Sequence, residues 1–358
     1  RTNKMNIKTI AVLLPCWLIL LCLSGCGHKP YARQYKIALV HSYEEGYPDA
    51  ERTRRLLCEA LAKRGLSCDF REYFLNCDGL LSDKEEEFCS DFIDDFTRWG
   101  AHLVAVLDDQ ATYSLMACGN PLLHDLPVVF SGVNYPNRQL LERYPNVTGY
   151  ADAPDYLNTV RMLERIMGKS RVCVINRNNV LDRFIWEDLM KQFDGQGYEI
   201  YCGRVGMHVS THRKLGDDLP SLVPGVNWEN ERFDTTAIVR LNSDSLSLTQ
   251  VAWTGYGSRT LCLFTHRNFI TVHSASFFQN PCFATVNKGF GLSDYALGGY
   301  FATIETQLDD MGQGIAERLR GRMPAEQVRY CAKRYVVNWH VLQRYGIPLS
   351  CIPKEYTI

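Results

Sequence analysis

The sequence has no appreciable excess of charge of either sign. Its 39 Lys and Arg residues almost balance its 40 Asp and Glu residues, so the formal net charge is −1. A protein that holds nucleic acid normally presents a strongly basic surface, because it neutralises phosphates. The balance of charge therefore gives no reason to expect a nucleic-acid partner.

The sequence also lacks the short motifs of the common enzyme classes. It contains no GxSxG nucleophile turn, no HExxH zinc motif and no Walker-type phosphate loop. It has no CxxC, and no histidines cluster with its cysteines at metal-ligand spacing. We therefore expect a protein that is not an enzyme, with no catalytic residues, no bound metal and no cofactor. An enzyme on an α/β scaffold is only a remote alternative.

Long hydrophobic runs are missing beyond the N-terminus. There, Lys8 precedes an apolar run from Ile10 to Leu23, which is shorter than the roughly 20 residues that span a bilayer. A basic start followed by such a run is typical of a secretory signal. The run ends in Leu23-Ser24-Gly25-Cys26. This stretch resembles the bacterial lipobox, where cleavage precedes the cysteine and its sulfur carries a diacylglycerol.

We predict that residues 1–26 are a signal peptide with a lipobox and that residues 27–35 are a linker. Lipidation of Cys26 implies attachment to a membrane through a lipid anchor. The expected location is the cell envelope, on the periplasmic or extracytoplasmic face. The alternative is an ordinary secretory signal in which Cys26 occurs by chance.

Cysteine is plentiful, with 14 residues in the chain. Three belong to the predicted signal, which leaves 11, an odd number. Cysteines in apolar β-like runs are expected to be buried free thiols, whereas those in more polar surroundings can pair in an exported protein. The sequence leaves the pairing open.

Short β-branched runs alternate with longer helical patterns, which is typical of βαβ units and a parallel sheet. The pattern begins again near residue 149, so we predict an α/β fold with two open, parallel-sheet, Rossmann-like lobes. The predicted strands are 36–42, 68–74, 102–107 and 126–130 in the first set, and 171–176, 198–203, 236–241 and 261–264 in the second. The predicted helices are 48–64, 83–99, 111–117, 155–167, 183–193 and 295–320.

Several short stretches, taken in their order along the chain, resemble those of a known family. They are Leu107-Asp108-Asp109-Gln110-Ala111, Leu126 to Pro136, Asn146-Val147-Thr148-Gly149, Gly298-Gly299-Tyr300, Arg318 to Pro324, Tyr335 to Asn338, and Tyr345 to Pro348. Together they resemble the substrate-binding family of ABC transporters with the type I periplasmic-binding fold, and the related ligand-sensing modules of histidine kinases. The family commonly has Thr-Asp before the proline after its fourth strand, whereas this chain has Asn134-Tyr135. This difference affects the expected identity of the ligand more than the expected fold.

The resemblance implies an architecture in which three chain crossings join two lobes and a ligand lies in the cleft between them. We expect the crossings near Thr148, Ala284 and Arg322. The corresponding boundaries are 36–148 for lobe 1, 149–284 for lobe 2, 285–322 for a return to lobe 1, and 323–358 for a lobe 2 strand and C-terminal tail.

The function implied by the resemblance is that of a solute-binding lipoprotein of an ABC-type uptake system. Such a protein captures a small polar or amino-acid-like ligand, and we expect it to act as a monomer with an ABC permease. The alternative is a sensory ligand-binding module that signals to a membrane histidine kinase. The fold alone does not separate these two functions.

Polar residues stand at the carboxyl ends of the predicted strands, where ligands of open α/β sheets bind. Since both lobes have such strand ends, both are expected to contribute to the site. The candidate ligand-binding residues are Ser42, Tyr43, Asp109, Gln110, Ala111, Ser131, Gly132 and Asn134 in lobe 1, and Asn176, Asn178, Asn242 and Asp244 in lobe 2.

Each candidate also has a plainer interpretation. Asp109 can be the N-cap of the helix that follows, in which case the free backbone amides of Gln110 and Ala111 suit a ligand carboxylate. Ser42 and Tyr43 can belong to a solvated loop. Asparagines that follow a strand can serve only to make turns.

Overall fold

The structure is a computed structural model, and it describes most of the chain after the predicted linker. The described residues are 34–47, 49–77, 82–168, 170–177, 180–198, 200–205, 259–264, 282–283, 296–344 and 346–356. The predicted signal peptide with Cys26 and the predicted strand 236–241 lie outside the described residues.

A six-stranded sheet forms the centre of the first lobe. Five of its strands pair in parallel with one another, and the sixth lies at one edge. In order across the sheet, the strands are β11 (Val328–Tyr330), β5 (Val147–Ala151), β4 (Val128–Val133), β3 (Leu103–Leu107), β1 (Gln34–His41) and β2 (Ser67–Phe74). Parallel strands end at the same edge, so the residues that follow them are brought together.

Helices cover both faces of this sheet. Ile37 and Leu39 of β1 belong to the core that contains α1 and α7, whereas Ala38 and Val40 belong to the core on the side of α2 and α3. All four side chains are fully buried, as expected for a parallel strand enclosed by helices. The helices of this lobe are α1 (Ala50–Lys63), α2 (Ser82–Trp99), α3 (Asp108–Ala117), α4 (Arg138–Glu142) and α7 (Ile304–Leu319).

The second lobe has a separate hydrophobic core, with a parallel four-stranded sheet and an antiparallel pair of strands. The four-stranded sheet has the order β7 (Ile200–Val205), β6 (Ser170–Arg177), β8 (Arg259–Phe264) and β9 (Cys282–Phe283), and the pair is β10 (Gly298–Phe301) with β12 (Arg334–Val337). Its helices are α5 (Tyr156–Met167), α6 (Val180–Phe193) and α8 (Trp339–Arg344). The predicted α/β class with two parallel sheets is confirmed. No helix among the described residues is long and apolar enough to cross a membrane.

The predicted helix 295–320 begins too early. Residues 298–301 form β10, and the helix starts only at Ile304, where the Thr303 side chain accepts a hydrogen bond from the backbone of Thr306. Residues 298–301 form a strand because they pair with β12, which is distant in sequence. The pairing is close, since a Cβ at position 298 would collide with the carbonyl oxygen of Val336. Gly298 also has φ +153°, a conformation that a side chain disfavours.

Within the described residues, three segments link the lobes, and they differ in position from the predicted crossings. They are 152–155 between β5 and α5, 302–303 between β10 and α7, and 331–333 between β11 and β12. The predicted boundary at 322 is wrong, because β11 pairs with β5 and so belongs to the first sheet. The predicted boundary at 284 also placed β10 in the first lobe, whereas Leu297 and the partner strand β12 belong to the second core.

Candidate functional site

The carboxyl edge of the first sheet is built around the start of α3. The helix begins directly after β3, at Asp108, whose φ of +67° lies in the left-handed region. Such a conformation in a non-glycine residue is uncommon and occurs often at functional sites. The N-cap is Leu107, without a side-chain cap, so the interpretation of Asp109 as N-cap is wrong.

Asp109 instead holds the loop that leaves β4. Its carboxylate accepts hydrogen bonds from the backbone N–H groups of Asn134, at 3.0 Å, and Tyr135, at 3.3 Å. Two strand ends, those of β3 and β4, are therefore tied together by one side chain. In this arrangement Asp109 positions the loop around Asn134.

Ser42 joins a third strand end to the same place. Its hydroxyl donates to the carbonyl oxygen of Leu107 at 2.8 Å and accepts from the backbone N–H of Ala111 at 2.9 Å. The side chain is buried, so both bonds satisfy groups that water does not reach. The predicted ligand contacts of Ser42 and of the Ala111 amide do not fit this geometry, because these groups are bonded to each other.

Gln110 points away from this edge. Its side-chain amide donates to the carboxylate of Glu85 in α2, and the hydroxyl of Ser114 donates to the same oxygen at 3.1 Å. The Gln110 and Glu85 side chains are buried between the two helices. The predicted ligand contact of Gln110 is therefore replaced by a contact within the lobe.

Ser131 and Gly132 lie at the end of β4, where the backbone approaches Asp108 closely. A Cβ on Gly132, which has φ +78°, would lie 2.7 Å from Oδ1 of Asp108. The Ser131 hydroxyl donates to the carbonyl oxygen of Gln307 in α7 at 3.3 Å. Both residues thus fit their predicted position at the site, and both also fill a structural role.

Asn134 and Tyr43 are two predicted residues that are not fully buried. Asn134 is half-buried, and within the described chain its side-chain amide forms no hydrogen bond. Tyr43 is also half-buried and stacks on Tyr47, with the ring centroids 4.5 Å apart. Asn134 can therefore both donate to and accept from a bound molecule.

The predicted second-lobe residues mostly lie outside the described residues. This holds for Asn178, Asn242 and Asp244, and for the side chain of Asn176, whose backbone pairs with Arg204 at the end of β6. The site can therefore be built only from the first lobe and the linking segments.

Asp152 is a residue of this edge that the sequence prediction missed. It follows β5, and its backbone N–H donates to the carbonyl oxygen of Val133 at 2.8 Å. Its Oδ2 accepts from the side chain of Gln307 at 2.7 Å, whereas its buried Oδ1 has no hydrogen-bond partner. The strand-end rule that selected the other candidates would have found it, had residues 147–151 been predicted as a strand.

The surroundings of Asp152 strongly disfavour its ionised form. Burial raises the pKa of its carboxyl to about 7, and the charges of Asp108 and Asp109 add to this rise. Lys333 and the backbone N–H of Ala302 act in the opposite direction. Because Ala302 and Lys333 belong to the second and third linking segments, all three segments meet at this carboxylate.

A second contact joins the lobes beside the site. The hydroxyl of Tyr135, in the loop after β4, lies 2.7 Å from the hydroxyl of Tyr156 at the start of α5. Gln192 of α6 accepts from the Tyr156 backbone N–H at 2.9 Å and donates to the carbonyl oxygen of Pro154 at 3.1 Å. The loop that carries Asn134 is therefore coupled to the second lobe.

The described residues contain no group of three or more His, Cys, Asp or Glu side chains arranged to hold a metal ion.

Comparison with known proteins identifies the fold. No family profile matches the sequence, and no curated protein matches it significantly. Among solved structures, an ABC domain in complex with L-Trp from Streptococcus pneumoniae has 15% identity and a TM-score of 0.58, with 90% of this chain and 100% of that chain covered. The chain has the type I periplasmic-binding fold of ABC solute-binding proteins.

Two further structures agree with this fold. A substrate-binding protein with adhesive properties from Clostridium difficile, in its ligand-free, open form, has 14% identity and a TM-score of 0.59, with 90% of this chain and 98% of that chain covered. A conserved domain protein from Vibrio cholerae has 14% identity and a TM-score of 0.58, with 91% of this chain and all of that chain covered. At these identities the likeness establishes the fold alone.

The raised pKa of Asp152 predicts a pH-dependent loss of stability. Since the folded value lies near 7, above the ordinary value of about 4 in the unfolded chain, stability is fully present below about pH 4 and is lost as the pH rises through about 7. In ligand-free protein, Asp152→Asn should gain on the order of 2 kcal/mol relative to wild type between pH 5 and pH 8. Urea unfolding at several pH values measures this difference. Parallel pH curves for the two proteins would contradict the assignment.

Proposed function

We propose that the chain is the solute-binding component of an ABC-type uptake system and captures a small polar or amino-acid-like solute. The observation that carries this proposal is the gathering of polar strand-end groups at the edge where the linking segments meet. Among them, the Asn134 amide and Oδ1 of Asp152 have no partner in the described chain. Unsatisfied polar groups at the carboxyl edge of a parallel sheet suit a polar ligand.

The fold supports the same function. The pneumococcal domain of this fold was solved with L-Trp, and the clostridial protein is a substrate-binding protein. In our proposal the solute binds between the two lobes, which close around it by bending at residues 152–155, 302–303 and 331–333. The protein acts by binding and not by catalysis.

The hydrogen bond between Tyr135 and Tyr156 connects the loop that carries Asn134 to the second lobe. The loop of Asn134 is held by Asp109 on one side and by the tyrosine pair on the other. A solute that bonds to Asn134 would therefore favour the arrangement in which the two lobes are in contact.

The proposed partner is a membrane permease, to which a lipid-anchored monomer delivers its solute. The support for the anchor is the stretch Leu23-Ser24-Gly25-Cys26 after an apolar run. Stable anchoring needs more than a single acyl chain, as a lipid-modified N-terminal cysteine normally provides.

Solute binding is tested with the purified protein and a panel of L-amino acids, monosaccharides and small carboxylates. A solute that binds only the folded protein raises its melting temperature. Asn134→Ala should weaken affinity for that solute by roughly 5- to 150-fold, the effect of losing one buried hydrogen-bonding partner, and should leave the ligand-free melting temperature almost unchanged.

Ser42→Ala provides the contrasting variant. It removes the bridge between the Leu107 carbonyl and the Ala111 amide, so it should lower the ligand-free melting temperature. Calorimetric titration and thermal unfolding measure both effects. The proposal fails if no member of the panel binds, and the assignment of Asn134 fails if its variant binds with wild-type affinity.

Lipidation is tested with Cys26→Ser in a bacterial host supplied with a labelled fatty acid. The wild-type protein should carry the label and sediment with membranes, because the thiol is the acceptor of the lipid. The variant should stay unlabelled. A labelled, membrane-bound variant would refute the anchor.

A further inference from the structure

The carboxylate of Asp152 is buried, and within the described residues only one of its two oxygens accepts a hydrogen bond. The residue is 2% exposed, and Gln307 donates to Oδ2 at 2.7 Å. Oδ1 is shielded from solvent and accepts no hydrogen bond from any residue that the structure describes. A buried acceptor without a donor is unfavourable by about 1–3 kcal/mol, and more for a charged group, so it is rare in folded proteins unless it has a role.

Among the described residues, no cation contacts Oδ1. Gln307, which donates to Oδ2, is neutral, and so is the Ala302 backbone N–H that lowers the pKa of this carboxyl. Lys333 acts on the carboxylate from a distance, and its ammonium forms an ion pair with Asp155, at 3.9 Å.

The other titratable groups that act on Asp152 within the described part of the chain are acidic. Asp108 and Asp109 act from the start of α3, and the thiol of Cys331 lies within electrostatic range on the third linking segment. A positively charged partner would therefore be favoured at Oδ1 on two counts, as a hydrogen-bond donor and as a countercharge.

We propose that Asp152 receives the protonated amino group of the solute, with an N–H of the ammonium donating to Oδ1. This inference rests on the proposed solute-binding function and narrows its substrate class to small solutes that carry a primary amine, amino acids among them. Oδ1 is buried in the described conformation, so the amine reaches it while the lobes are apart and is enclosed as they close. Because all three linking segments meet at Asp152, binding there acts directly on the hinge.

The test compares solutes that differ only in the amino group. The full chain is titrated calorimetrically at pH 8 with the common L-amino acids, with the carboxylic acids that lack only the amino group, and with neutral monosaccharides. At least one amino acid should bind, and its des-amino counterpart should bind roughly 10- to 100-fold more weakly.

Asp152→Asn should weaken binding of the amino acid by a similar factor and leave the weak binding of the des-amino acid unchanged. The matched control is Asp310→Asn in α7, a half-buried carboxylate that accepts from the Ala332 backbone and interacts with the Cys331 thiol. Its affinity for the amino acid should stay within about twofold of wild type.

The pH dependence of wild-type binding gives a readout that needs no variant. Protonation of Asp152 removes the charge that holds the amine, so affinity for the amino acid should fall roughly tenfold between pH 8 and pH 6. The des-amino acid should lack this loss. Asp152→Asn, if folded, should bind the amino acid with little dependence on pH.

The possible failures are distinguishable. If monosaccharides or des-amino acids bind and no amino acid binds more tightly, the role of Asp152 is overturned and solute binding stands. Equal affinities of wild type and Asp152→Asn for the amino acid overturn it as well. If nothing in the panel binds, the proposed function itself is refuted, and this inference with it.

Discussion

Parallel pairing places the ends of several strands at one edge of the first sheet, and the site depends on this constraint. The residues that follow β1, β3, β4 and β5 all lie at that edge, so Ser42, Asp108, Asn134 and Asp152 come to one edge although they are far apart in sequence. The edge has to satisfy its own backbone groups as well. The side chains of Ser42 and Asp109 satisfy two of them. Ser42 accepts from the backbone N–H of Ala111, and Asp109 accepts from that of Asn134.

Because Ser42 and Asp109 already form hydrogen bonds within the protein, few side-chain groups of the described residues at this edge remain to bind a ligand. Asn134 keeps its side-chain amide and Asp152 keeps one carboxylate oxygen. Both residues lie at the end of β4, since Asn134 directly follows Val133 and the Asp152 backbone N–H donates to the Val133 carbonyl oxygen. A polar solute bound here would meet an amide and a carboxylate, with the segments that join the lobes beside it.

The sequence predicts the layered fold well because the deciding signals are local. The apolar runs of β1 and β3 are buried on both faces, which only a parallel sheet between helices explains. Errors arise where distant contacts decide. Gly298 lies in a strand because it pairs with Val337, and β11 joins the first sheet through a partner about 180 residues earlier in the chain.

The site is predicted in position more accurately than in detail. Strand-end reasoning selects the correct edge, yet it cannot tell which way a side chain points, and Gln110 turns inward to Glu85. It also cannot tell whether a hydroxyl is already bonded, as that of Ser42 is. Asp152 was missed because β5, which it follows, was not predicted as a strand.

The central claim is that a solute binds at this edge, between Asn134 and Asp152. The most direct measurement is a crystal structure of the protein with a solute from the binding panel. The account predicts that the solute lies between the lobes, within hydrogen-bond distance of the Asn134 side chain and of Oδ1 of Asp152. A solute bound elsewhere, with both groups left without a partner, would contradict it.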